Sequence, residues 1–126
     1  MSTILVIDDE KGILQLMHEA LTTHGHKVET ADDGLEGIRK FDDGSFDIVI
    51  TDVRMPVIDG NGVAAHIRKS EKQCIPVIGI SGTPWLLEAD NFDMVLSKPF
   101  PLKQLLNCIR SLLSVSPRMA MGAQTG

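Results

Sequence analysis

Ile48-Val49-Ile50-Thr51-Asp52 is a run of four β-branched residues stopped by a carboxylate. Unbroken β-branched character, without polar alternation, is what a strand buried on both faces requires. Three other short runs share its form. Ile4 to Ile7 stops on Asp8-Asp9, Val77 to Ile80 stops on Ser81, and Met94 to Leu96 runs through Ser97 into Lys98. As neighbouring parallel strands, these runs would share one carboxyl edge of a sheet. Three carboxylates, a hydroxyl and an ammonium then converge in one crevice, a set suited to a divalent cation and a phosphoryl group.

Along the chain, apolar runs alternate with stretches of helical period, the signature of βαβ units and a parallel sheet covered on both faces. Ile13, Leu16, Met17, Ala20 and Leu21 recur as one face of an amphipathic helix,, which Gly25 closes. Residues 27–31 are a weak second strand around Val28. A helix carrying Leu35, Ile38 and Phe41 follows and ends near Gly44. The central strand is expected over 47–51, then a loop from Arg54 to Asp59, a helix with Val63, Ala64 and Ile67, and a fourth strand over 77–80. Thr83 and Pro84 open a short fourth helix that ends by Asn91, about two turns. The fifth strand is expected over 94–97. Leu102, Leu105, Leu106, Ile109, Leu112 and Leu113 then make a last helix, which Pro117 ends. The fold class is α/β, a doubly wound five-stranded parallel sheet in order 2-1-3-4-5, flavodoxin-like, with the fourth helix shortened. Residues 1–116 form one domain and 117–126 a flexible tail. Ligands in such sheets bind outside the carboxyl ends of the strands, where strand order switches; here Asp8-Asp9 would stand beside Asp52.

A chain of 126 residues, 43% hydrophobic, is large enough for its own core,. A net charge of -5 with no basic run argues against nucleic acid as a partner,. Cys74 and Cys108 have no metal spacing and are expected to be reduced thiols; His18, His24, His26 and His66 are expected on the surface. The first apolar run is too short for a secretory signal, and no stretch is long enough to span a bilayer. A cytoplasmic protein without membrane contact is the expectation. Gly60-Asn61-Gly62-Val63-Ala64-Ala65 matches a dinucleotide-binding fingerprint by letter, but it follows the third strand instead of the first, so the match is rejected.

Carboxylates at about 6 Å repel by roughly 3 kcal/mol per pair at an effective dielectric near 20. Without compensation one of them would take up a proton. A cation is implied, and oxygen-only donors favour Mg²⁺ over zinc or copper. Beside Mg²⁺ and Lys98, an aspartate is a competent nucleophile toward phosphorus, and Ser81 can donate to a phosphoryl oxygen. The acid pair would serve the metal, Asp52 the attack, and Lys98 with Ser81 the phosphoryl charge.

Val6-Ile7-Asp8-Asp9-Glu10, Thr51-Asp52-Val53-Arg54-Met55-Pro56, Asp59-Gly60, Ser81 and Lys98-Pro99-Phe100 follow one another at the ends of successive strands. In this the chain resembles the receiver domain of two-component response regulators, over essentially its whole ordered length. The resemblance implies that Asp52 accepts a phosphoryl group from a histidine kinase or phosphotransfer protein. It implies Asp9, Asp52 and the Arg54 carbonyl as Mg²⁺ ligands, with Asp8 acting through water, Ser81 as the switch hydroxyl and Lys98 as the phosphate-sensing cation. The Lys98-Pro99 bond is implied to be cis.

Three features depart from that pattern. The stretch from Ser81 to Lys98 is short, Val95 stands where relatives often carry a switching aromatic, and Gly82 stands where Ala is common. Signalling through an aromatic flip is therefore not expected, and Trp85 is read mainly as a packing residue. With little chain beyond the last helix, the expectation is a stand-alone switch, not an enzyme beyond slow self-dephosphorylation, whose output is contact with an unidentified downstream protein. An alternative is a receiver-like interaction module that works without phosphorylation. An aspartyl-phosphate phosphatase of the haloacid dehalogenase type would need an acid two residues after Asp52, where Arg54 stands.

Overall fold

A computed structural model describes residues 2–82 and 91–114. In chain order it contains β1 (Thr3–Ile7), α1 (Lys11–Thr23), β2 (Lys27–Ala31), α2 (Gly34–Asp43), β3 (Ile48–Asp52), α3 (Gly60–Lys69), β4 (Val77–Ser81), β5 (Met94–Ser97) and α4 (Leu102–Ser114). The strands are all parallel, in the order β2-β1-β3-β4-β5. This is the doubly wound flavodoxin-like sheet that the apolar runs predict. β3 and β4 each extend one residue further than expected, so Asp52 and Ser81 belong to the ladder and their backbones are fixed by it.

Side chains alternate across the sheet with the strand period. Ile4, Val6, Ile48, Ile50, Ile78, Ile80 and Leu96 face α1 and α4, where Leu14, Met17, Leu21, Leu105, Ile109 and Leu112 meet them. Leu5, Ile7, Val49 and Val77 face the other way, onto Phe41 of α2 and Val63, Ala64 and Ile67 of α3. Burying each such side chain stabilises the fold by about 1.5–3 kcal/mol, which lets it hold acidic residues out of water at one edge.

Helix ends follow local chemistry. Asp33 caps α2 by accepting from the Glu36 N–H at 2.7 Å, and Asp59 caps α3 by accepting from Gly62 N–H at 2.9 Å, each worth about 1 kcal/mol. α1 stops where Gly25 adopts a φ of 88°, a conformation that glycine reaches without a Cβ clash.

Two leucines are not where their periodicity puts them. Leu16 is 60% exposed and Leu35 62% exposed. In α1 the buried residue of that turn is Leu14. In α2 the buried positions are Gly34, Gly37 and Phe41. A Cβ on Gly37 would meet Ile7 Cδ1 at 2.5 Å, and one on Gly34 would collide with the Ile58 carbonyl oxygen; the helix turns Gly37 to the sheet, where Ile7 fills the space, and Gly34 to the loop before α3.

Of the short helix expected from Pro84 to Asn91 all but Asn91, Trp85 included, lies outside the described residues, as does the tail over 117–126. Among the described residues, no helix is long and apolar enough to cross a membrane.

Candidate functional site

At the carboxyl edge the ladder sets the spacing. Ile7 of β1 pairs with Thr51 of β3, and Asp52 pairs with Ile80 of β4. Asp8, Asp9 and Asp52 are thereby brought together, each offering a carboxylate oxygen within 4.8 Å of the others. Asp8 and Asp52 are buried, whereas Asp9 is exposed. Ser81, buried at the end of β4, pairs with Ser97, and its carbonyl accepts from Lys98 N–H at 2.9 Å. The Lys98-Pro99 bond is cis, as the resemblance implies.

From that turn Lys98 reaches back across β4. Its Nζ lies 3.3 Å from Asp52 Oδ1 and 3.8 Å from Asp8 Oδ2. A third carboxylate, Glu10 Oε1, stands 4.0 Å away on the solvent side. Glu10 belongs to the quoted motif, but its position beside Lys98 was not foreseen. The one signal available was its adjacency to the acid pair.

Arg54 lies two residues beyond Asp52, in the loop that joins β3 to α3, and is exposed. The loop is drawn back over the end of β3: Val53 N–H donates to Ile80 O, and Gly60 N–H donates to Val53 O at 2.8 Å. A Cβ on Gly60 would collide with the Asp52 carbonyl oxygen, so glycine is needed for α3 to begin against the strand. At the loop's tip Ile58 N–H donates to Pro56 O at 2.8 Å around Val57, whose φ is 68°. Such a three-residue turn is strained for a β-branched residue.

Burial pushes the Asp8 carboxyl up to about 6; the Glu10 N–H that donates to it opposes this, and Asp52 adds to it. Burial likewise raises Asp52, against the attraction of Lys98. The attraction of one ammonium does not offset the burial of these two carboxylates. Oxygen-only donors that are short of positive charge fit a hard divalent cation.

The chain matches the response regulator receiver domain model over residues 4–110. It is 35% identical to the transcriptional regulatory protein TcrA of Mycobacterium tuberculosis over 119 residues, which cover 90% of this chain and 47% of the relative. The chain thus spans about half the length of the curated relatives it matches. Among solved structures, it is similar to the response regulator protein TrrA of Thermotoga maritima in complex with Mg²⁺-BeF, at 35% identity and a TM-score of 0.83, covering 90% of this chain and all of that one. It is also similar to the chemotaxis protein CheY4 of Vibrio cholerae, at 29% identity and a TM-score of 0.81, covering 90% of this chain and 99% of that one. Fold and edge chemistry define a doubly wound module with an acidic pocket that a lysine reaches. The chain belongs to the receiver domain family of two-component response regulators.

Proposed function

We propose that Asp52 accepts a phosphoryl group from the phosphohistidine of a histidine kinase or phosphotransfer protein, in a Mg²⁺-dependent reaction, and that the change switches contacts with a downstream protein. A carboxylate oxygen of Asp52 forms the P–O bond as the P–N bond to the donor imidazole breaks, and the leaving nitrogen takes a proton. The observation that carries this reading is the convergence of Asp8, Asp9 and Asp52 around one point, with Lys98 Nζ 3.3 Å from the Asp52 oxygen.

In this reading Asp9, Asp52 and the Arg54 carbonyl hold Mg²⁺, with Asp8 acting through water; the ion supplies charge neutralisation for the phosphoryl oxygens. Lys98 orients Asp52 before attack and then binds a phosphoryl oxygen. Ser81 donates to another. Ser81 and Lys98 are already joined by a backbone bond, so a shift of either toward the new charge moves the end of β4 and the start of the turn before α4 together. Loss of the group to water would be slow and self-catalysed.

Beside Lys98 lies a groove of about 650 Å³, lined by Ile13, Leu16, Met17, Phe100 and Leu102 among others. It gives a donor protein an apolar rest next to the pocket mouth, and it accounts for Leu16 and Leu102 standing exposed. Such a donor and a cytoplasmic setting belong together. The phosphorylation-independent alternative draws no support from a pocket whose acids and lysine all stand within reach of one another.

The test is incubation with a small phosphodonor and Mg²⁺. A base-labile adduct on the wild-type chain that is absent from Asp52→Asn is the expected result. An adduct that persists in Asp52→Asn, or none at all, would end the reading.

A further inference from the structure

One carboxylate in the cluster has no part in the chemistry above. Glu10 Oε1 shares Lys98 at 4.0 Å, with its side chain 65% exposed against 2% for Asp8 and 7% for Asp52. Its backbone is already committed: its N–H donates to Asp8 Oδ1 at 2.9 Å and its carbonyl accepts from Leu14 N–H at 3.1 Å. It also occupies the N-cap of α1, yet its side chain makes no capping bond; Asp, Asn or Ser would serve a cap better. The carboxylate is turned instead to the ammonium that serves Asp52, on its solvent side.

We propose that Glu10 is a positioning residue that selects the phosphoryl donor. It shares Lys98 with the two buried acids and fixes a negative charge at the pocket mouth, which disfavours small dianionic donors. A donor protein that brings its own Lys or Arg to the mouth escapes that penalty. The proposal rests on the reading of Asp52 as phosphoacceptor. For a dianion at roughly 7 Å, with a water-like dielectric and ordinary salt, the repulsion corresponds to about a two- to threefold change in rate.

The experiment compares wild type, Glu10→Gln and Glu10→Lys at saturating Mg²⁺, with acetyl phosphate as the dianion and phosphoramidate as a monoanion, at low and high ionic strength. Labelling of Asp52 by acetyl phosphate should rise about two- to threefold in Glu10→Gln and further in Glu10→Lys. The gain should appear in the concentration dependence and not in the limiting rate, and it should shrink with phosphoramidate and with salt. Equal rates in all three chains, or gains indifferent to donor charge and salt, would overturn the proposal while leaving Asp52 as acceptor. No label on wild-type Asp52 would overturn both.

Discussion

Lys98 Nζ stands 3.3 Å from Asp52 Oδ1 although β4 separates β3, which carries Asp52, from β5, which Lys98 directly follows. Two strand spacings are about 9.6 Å, a gap that a long, flexible ammonium side chain can close and a short polar one cannot. The contact therefore depends on the whole carboxyl edge of the sheet being in register.

Removing that ammonium separates the roles assigned to it. In Lys98→Ala, Mg²⁺ affinity should rise severalfold, because a competing positive charge is gone. Labelling of Asp52 should nevertheless slow at least about tenfold, through loss of phosphoryl stabilisation. Calorimetry of Mg²⁺ binding beside labelling kinetics reads both; a fall in the two together would point to collapse of the pocket instead.

The raised carboxyls make metal-free stability depend on pH in an unusual direction. With Asp8 at about 6 in the folded chain and near 3.8 unfolded, the folded state binds the extra proton between those values. Stability should therefore fall as pH rises from about 4 to about 6 and stay low above. Asp8 alone accounts for about 2–3 kcal/mol. Asp8→Asn should flatten that slope and raise the melting temperature in EDTA at pH 7. Added Mg²⁺ should stabilise the wild type at pH 7 far more than this variant.

Gly60→Ala should destabilise the chain by about 1–3 kcal/mol, because the new Cβ meets the Asp52 backbone. Since α3 then backs away from the acceptor strand, Mg²⁺ affinity should fall as well. Denaturant unfolding with a Mg²⁺ titration measures the pair. An unchanged midpoint would show that the helix start is not held against the strand.

Val57 should behave in the opposite sense. It is 95% exposed and holds a φ of 68°, so Val57→Gly relieves backbone strain and loses no packing. After the entropy that glycine adds to the unfolded chain, a net gain of about 0.5–1 kcal/mol is expected. Thermal unfolding would show it as a higher melting temperature, and a lower one would mean that the turn is not strained.

The sheet was legible because four of its five strands, all but β2, are short apolar runs that end on or beside a functional residue. Asp8, Asp9, Asp52, Ser81 and Lys98 are thus placed on one edge by the sequence alone. The helix faces were less legible. Gly34 and Gly37 carry no hydrophobic signal, yet they are buried, Gly34 against Ile58 and Gly37 against Ile7, so apolar spacing favoured Leu35. Two long-range polar contacts were also hidden. Glu10 meets Lys98 only through the fold, and Arg68 meets Asp93 at 2.7 Å, with Asp93 also accepting from Val77 N–H. Pairings of this kind depend on which loops the sheet brings together, and local pattern does not specify the partner.

Whether the three acids gather one hard cation is decided by a Mg²⁺ titration followed by calorimetry at pH 7. The prediction is saturable binding by the wild-type chain that weakens at least about tenfold in Asp9→Asn and in Asp52→Asn. Equal heats from wild type and both variants, or no binding by the wild type, would contradict it.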